Sequence, residues 1–386
     1  MIKLSDYFDP VSIERPLWGH LAEPSCLSHN LTISTASKPI EDISGYRIAL
    51  IGVADDRRSP NKGSGEAPDK IRESLYQLSR LPGKKKIADL GNIKQGPRFE
   101  DTLAALKDVM VYLLDNDCIT IILGGSSAVI PAVDKALTER EIKYSFSSID
   151  SRLDFSSERK EPDSFNYLGE ILYNRQSSIG SFINIGFQTY LNDQQVINRF
   201  RKMNHSLIRL GEARANLQEI EPTFRDSSLI TLDISSIRQS DAPGTFAPSP
   251  NGFYTEEICL LARYAGLSDN MKIFGIFEIN PLLDSRSQTS ALASQILWFL
   301  LEGNSQRNSE SDLIDKDKNG RFVLYHVSLK DLEEDLIFIK STVTNRWWMK
   351  IVSKDNITEY IACSYNDYLK AGEGEIPSRW MKAISK

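Results

Sequence analysis

The chain has 386 residues, 41% of them hydrophobic and 25% charged. This is the balance of a globular protein with enough chain for two domains, and it excludes a disordered or fibrous state. Its 46 Lys and Arg against 52 Asp and Glu give a net charge of -6, which offers no overall attraction to nucleic-acid phosphates or anionic lipid, so neither is expected as a partner.

Residues 1–45 show no clear hydrophobic period and are expected to wrap the domain that follows. Asp6, Asp9 and Glu14 fall where a signal peptide would need an apolar stretch, and no run approaches the ~20 apolar residues of a membrane span. A cytoplasmic location is expected.

From Tyr46 onward, short β-branched runs alternate with amphipathic segments, the pattern of a mostly parallel sheet covered by helices on both faces. Eight strands are predicted: 46–53, 86–90, 118–123, 143–149, 181–187, 206–210, 228–234 and 271–277. Helices are predicted over 67–78, 102–114, 254–265 and 289–301, where apolar residues recur at helical spacing. The fold class is therefore α/β, a three-layer doubly wound domain over 46–302. Residues 303–320 are polar and read as an exposed linker. Residues 321–386 predict a small α+β extension with strands at 321–328, 335–341 and 347–352 and a helix at 365–371. Cys26, Cys118, Cys259 and Cys363 are far apart, with no CxxC pair, and read as reduced, mostly buried thiols.

Ligands of an open α/β sheet bind beyond the carboxyl ends of its strands. Four predicted ends carry polar groups there: Gly124-Gly125-Ser126-Ser127, the stretch from Asp150 through Arg152 to Asp154, Asp233 with Ser235, and Glu278 before Asn280-Pro281. One rim thus collects several carboxylates.

These pieces, in this order, resemble the ureohydrolase family of arginases, agmatinases and formimidoylglutamases. Residues 64–76, SGEAPDKIRESLY, are similar to its GAPxxIRxxLY segment, and Asp89-Leu90-Gly91 to its DLG. Gly124-Gly125 matches the start of GGDHS, 150–154 matches DAHxD, 232–244 the DxDxxDPxxxPG stretch, and FEINPLLD at 277–284 the family's xEVNPxLD. Six motifs in register over 45–302 make chance agreement a poor explanation. The resemblance implies a homo-oligomer and an arginase-like eight-stranded sheet. It also implies a dimanganese centre held by two histidines and four aspartates, which supplies the hydroxide that attacks a guanidino or formimino carbon.

Carried over position by position, half of that ligand set is gone. The ligand histidines fall on Ser127 and Arg152, and one aspartate falls on Ser235. Asp150, Asp154 and Asp233 remain, and the aspartate of the DP step is Arg238. Three ionised aspartates in one pocket need a cation, since two carboxylates ~5 Å apart repel by about 3 kcal/mol at an effective dielectric of 20. Arg152, permanently charged and able to bind carboxylates through its fork of donors, is expected to place its guanidinium in the former metal site. The expectation that follows is a pseudoenzyme without metal, acting in ligand binding or assembly. Its ligand would be a small guanidino, amidine or amino-acid-like molecule, with a protein partner also open through the aromatic-rich extension. The alternative is a C–N hydrolase of the formimidoylglutamase, agmatinase or arginase type, holding one Mn²⁺ or Mg²⁺ on Asp150, Asp154 and Asp233 with Glu278 orienting the substrate.

Other features carry blander expectations. Ser126 and Ser127 occur in no motif that pairs them with His20, His29, His205 or His326. Gly63 and Gly65 read as turn formers and Lys84-Lys85-Lys86 as a solvated turn. Asp315, Asp317, Asn319 and Gly320 spell the front half of a calcium loop, but its twelfth position is His326, so a polar turn is expected.

Overall fold

A computed structural model of the chain describes residues 3–12, 21–83, 86–156, 161–203, 205–317, 320–330, 332, 334–352 and 357–384. Its strands are β1 (Phe8–Asp9), β2 (Leu31–Ile33), β3 (Ile48–Val53), β4 (Ile87–Ile93), β5 (Ile119–Gly124), β6 (Tyr144–Ile149), β7 (Ile179–Phe187), β8 (Ser206–Arg209), β9 (Leu229–Asp233), β10 (Ile273–Phe277), β11 (Phe322–Val327), β12 (Leu336–Ser341), β13 (Trp347–Val352) and β14 (Thr358–Cys363). All eight strands expected between 46 and 302 are present.

The eight form one parallel sheet in the order β4-β3-β5-β10-β9-β6-β7-β8. Successive side chains of a strand point to opposite faces, so buried strands covered on both sides need apolar residues at every position. Ile48 and Leu50 of β3 accordingly join one core, with Ile71 and Leu75 of helix Ala67–Leu75 and with Leu292 and Ile296 of helix Gln288–Ser305. Ala49, Ile51 and Val53 join the other, with Leu106 of helix Phe99–Asp115 and Val133 of helix Ile130–Glu139. The amino-terminal residues extend the sheet: β2 runs parallel to the start of β4, and β1 runs antiparallel to its end. No helix among the described residues is long and apolar enough to cross a membrane, and all four cysteines are buried and free.

Two of the six matched segments meet in the fold rather than at the ligand rim. Arg72 is fully buried, and its Nε and Nη2 reach the two oxygens of buried Asp89 at 2.9 Å each. Tyr76 donates its hydroxyl to Asp89 at 2.7 Å, and Arg72 reaches the Gly91 carbonyl at 3.0 Å. Gly91 itself sits at φ +94, where Asp9 of β1 passes so close that a Cβ would lie 2.1 Å from its carbonyl oxygen. Only glycine fits there.

Strands β11 to β14 form a separate antiparallel sheet in chain order. The fourth strand was not expected from the sequence. Its aromatic residues are used in packing: Trp347 stacks on Tyr368 with centroids 4.9 Å apart, and Trp348 lies on the opposite face against Phe322. The sheet docks on helix Glu221–Arg225. There Arg225 donates to the carbonyls of Trp347 and Cys363 at 2.9–3.0 Å, and its guanidinium lies 4.8 Å from the Trp348 ring centre.

The segment expected to be an exposed linker is partly internal. The preceding helix runs to Ser305, and Glu310 is fully buried. Ser341 donates to Glu310 at 2.5 Å, and Thr344 donates to its second oxygen. The structural cause is that Glu310 satisfies the Ser341–Thr344 turn of the small sheet. Asp315 takes the hydroxyl of Tyr360 and Asp317 takes the amide of Phe322, so both are used locally. Asn319, Lys84 and Lys85 lie outside the described residues, as does His20.

Candidate functional site

The strand ends singled out in the sequence belong to four neighbours in the sheet, β5-β10-β9-β6. Asp150 and Asp154 follow β6, Asp233 ends β9, Ser127 follows β5 and Glu278 follows β10. Adjacent parallel strands present their carboxyl ends at one level, and this brings residues 151 positions apart into contact.

Asp150, Asp154 and Asp233 converge. One oxygen from each can be chosen so that all three lie within 4.8 Å of one another. Asp150 and Asp154 are buried, and the chain turns each strand end inward by a local bond. The Arg152 amide donates to Asp150 Oδ1 at 2.8 Å and the Ser235 amide to Asp233 Oδ1 at 2.7 Å. Burial pushes the Asp150 and Asp154 carboxyls well above the usual carboxylate range, and their charged neighbours add to it, Asp233 for Asp150 and first Asp150 for Asp154. Burial also raises Asp233. Elevated carboxyls of this kind are short of positive charge. Tyr167 is fully buried, and its phenol is also pushed up by burial and by Asp154 and Asp150.

Arg152 lowers Asp150 and Asp233 from a distance by its charge but does not offset their burial. No ion pair joins its guanidinium to the three aspartates among the described residues. Cζ instead lies 5.7 Å from the centre of the Phe165 ring, and Nε is shut off from solvent without a hydrogen-bond partner. The expected guanidinium in the metal position is therefore corrected. The tight turn after β6 commits the Arg152 backbone to Asp150, and the side chain runs to Phe165. Arg238, at the other altered position, pairs with Asp241 at 2.8 Å and lies over Tyr254 at 4.0 Å, also away from the aspartates.

Glu278 sits beside them, 7% exposed, in the left-handed region at φ +64. Its carboxylate is fully enclosed by donors. Oε1 faces the Ser127 amide at 2.9 Å and the Ser127 hydroxyl at 3.3 Å, while Oε2 faces Ser59 Oγ at 3.2 Å and Asn61 Nδ2 at 3.0 Å. Ser127 Oγ is also 3.2 Å from the Ser164 carbonyl, so one proton serves two acceptors. Burial raises the Glu278 pKa, with the Asp233 charge adding to it, and these outweigh the donors, so the group is pushed up to about 7. Ser126 Oγ accepts the Ala128 amide, and His205 packs on Phe182 and Phe200. No histidine is bonded to either serine among the described residues.

Ser59, Asn61, Ser164 and Tyr167 were missed in the sequence. Ser59 and Asn61 follow the carboxyl end of β3, the neighbour of β5, and the same strand-end rule would have reached them. Ser164 and Tyr167 follow residues 157–160, which lie outside the described residues, and had no strand end to mark them.

Chemically, three oxygen donors suit one hard divalent ion such as Mn²⁺ or Mg²⁺. Among the described residues this is the one such group of donors.

The arginase-family profile matches residues 46–302. The chain is 26% identical over 289 residues to a formimidoylglutamase of Bacillus subtilis, covering 68% of this chain and 88% of that protein. It is 24% identical over 276 residues to one of Photorhabdus laumondii, covering 67% and 86%. Among solved structures, formimidoylglutamase from B. subtilis superposes with a TM-score of 0.66 at 22% identity over 76% of this chain and 97% of that one. The Trypanosoma cruzi formiminoglutamase with Mn²⁺ gives 0.65 at 18% identity over 70% and 97%. The expectation that no metal cofactor is involved is overturned by that Mn²⁺-bound neighbour together with the aspartate cluster, which has the donors for an ion and, among the described residues, no side-chain cation paired with it.

Proposed function

The chain belongs to the arginase family, and on that footing we propose that it is a metal-dependent C–N hydrolase of the formimidoylglutamase type, acting on a formimino or guanidino compound. The observation that supports this reading is the convergence of three aspartates on one rim, with no side-chain ion pair to them among the described residues. Asp150, Asp154 and Asp233 would hold one Mn²⁺ or Mg²⁺. A divalent ion there supplies a water of lowered pKa and neutralises the carboxylates.

The chain's own residues do the rest. Glu278, with both oxygens anchored by Ser59, Asn61 and Ser127, is fixed in direction and can take a proton near neutral pH. Its negative charge, held beside the rim, favours the cation of an amidinium nearby. Hydrolysis breaks the C–N bond with water, the hydroxyl ending on the amidine carbon and the proton on the leaving nitrogen.

The test is to purify the protein with Mn²⁺, count ions by elemental analysis, and assay N-formimino-L-glutamate and agmatine. About one ion per chain, with turnover that disappears with chelator and returns with Mn²⁺, is the expected result. Protein that binds no ion and hydrolyses neither compound would sink the proposal.

The lost donors at Ser127, Arg152 and Ser235 favour a second reading, in which one ion and a small amidine ligand are bound without hydrolysis. Ser127 is tied to Glu278 and can deliver no second ion. Ligand binding by calorimetry with no product formed would select this reading.

A further inference from the structure

The carboxyl ends of β7 and β8 carry a cavity of about 470 Å³, whose walls include Gln188, Tyr190, Arg209, Arg214 and Asn251. None of Asp150, Asp154, Asp233 and Glu278 lines it, and neither does any other Asp or Glu. Its neutral polar groups are committed to one another. Tyr190 donates its hydroxyl to Gln188 Oε1, Asn251 Nδ2 lies 3.1 Å from that hydroxyl, and Gln188 donates to the Asn251 carbonyl at 3.0 Å. Tyr190 is thus tied at its polar end, yet it remains 68% exposed. The two arginines differ. Arg214 donates Nε to Glu257 at 2.9 Å and lies 3.9 Å from the Tyr254 ring centre, so its charge is partly met. Arg209 is exposed, and its guanidinium has no hydrogen bond or ion pair among the described residues.

We infer that this cavity is a ligand site separate from the aspartate rim, and that it takes a mononucleotide, with the phosphate on Arg209 and Arg214 and the base flat against Tyr190. Guanidinium forks meet phosphate oxygens through paired, charge-assisted bonds. An exposed aromatic face stacks a nucleobase whatever its sequence identity. The volume falls within the range of about 300–1,000 Å³ that holds a whole small molecule, which is more than an inorganic anion fills. With no carboxylate in the walls, nothing there would hold a cation. The site uses neither the aspartates nor an ion, so it stands or falls independently of the proposed hydrolysis.

The experiment is calorimetry on the full-length protein with AMP, adenosine and inorganic phosphate, each in EDTA and in Mn²⁺. AMP should bind at least tenfold more tightly than adenosine or phosphate, and about equally in the two media. Arg209→Gln and Tyr190→Ala should each weaken AMP at least tenfold, while Tyr190→Phe, which keeps the ring, should retain the affinity. Both side chains are exposed, so these variants are expected to fold. AMP that binds no tighter than phosphate would leave an adventitious anion contact only, and AMP no tighter than adenosine would take the arginines out of the site. Binding that requires Mn²⁺ would put the phosphate on the aspartate rim instead. Each of these results overturns the inference, as does the absence of AMP binding or an AMP affinity indifferent to Arg209 and Tyr190.

Discussion

Arg152 meets Asp150 through its backbone: the amide donates to Oδ1 at 2.8 Å, while the side chain leaves for Phe165. Arg152 therefore orients a carboxylate through its neutral amide, and its charge, acting only from a distance, leaves Asp150 and Asp233 still raised by burial. That remaining elevation is the physical case for an ion.

Replacing one carboxylate should have opposite effects with and without metal. Asp154→Asn removes a charge from the buried set, so the chelator-treated variant should melt at or above the wild-type temperature. In Mn²⁺ at a hundredfold its dissociation constant, wild type should gain about 2.7 kcal/mol by mass action and the variant almost none. Thermal melts with EDTA and with Mn²⁺ measure both. An equal Mn²⁺ response in the two proteins would contradict the assignment of Asp154.

The same carboxyls set a pH dependence. Asp150, Asp154 and Asp233 lie above their ordinary 3.8, and Glu278 is raised from 4.5 to about 7. Between the unfolded and folded values the native state holds the extra protons, so stability falls as pH rises. For Glu278 the loss runs from about pH 4.5 to about 7 and is complete above that. Urea unfolding of metal-free protein should show lower stability at pH 8 than at pH 5. Added Mn²⁺, which favours the ionised carboxylates, should shrink or reverse the difference.

Arg225 should decide whether the small sheet stays docked. It is 4% exposed, pairs with Glu221 at 3.0 Å and donates to two carbonyls of the small sheet. Arg225→Ala leaves those carbonyls unsatisfied, at about 1–3 kcal/mol each. Limited proteolysis should then cut between Gln306 and Arg321 faster than in wild type while leaving 46–302 intact. Unchanged cleavage would show that the apolar contacts alone suffice.

A larger stability loss is expected at Arg72. Removing one member of a buried, hydrogen-bonded pair typically costs 3–5 kcal/mol, because the partner charge is left buried. Arg72→Met should therefore unfold at clearly lower urea, and Arg72→Met with Asp89→Leu should recover part of the loss. A double variant no better than the single one would refute the pairing as the cause.

Much of the fold was legible in the sequence because parallel strands covered on both faces must be apolar throughout, as Ile48 to Val53 and Ile273 to Phe277 are. What was not legible came from long-range packing. The fourth small-sheet strand, Thr358–Cys363, is mixed in polarity and is held by Trp347 to Val352 beside it. Glu310 reads as linker from its neighbours and becomes internal only because Ser341 and Thr344 fold onto it.

At the site the division is similar. The amino-acid order alone determined that Asp150, Asp154, Asp233 and Glu278 share one rim, since side chains at the carboxyl ends of adjacent parallel strands must gather there. Laid on the family's motifs, it also puts Ser127, Arg152 and Ser235 at positions where the resemblance implies metal ligands. Only the tertiary structure decided where the Arg152 guanidinium goes and which four groups enclose Glu278. A side chain's direction depends on the turn that carries it and the neighbours that leave it room, and these come from strands far apart in the chain.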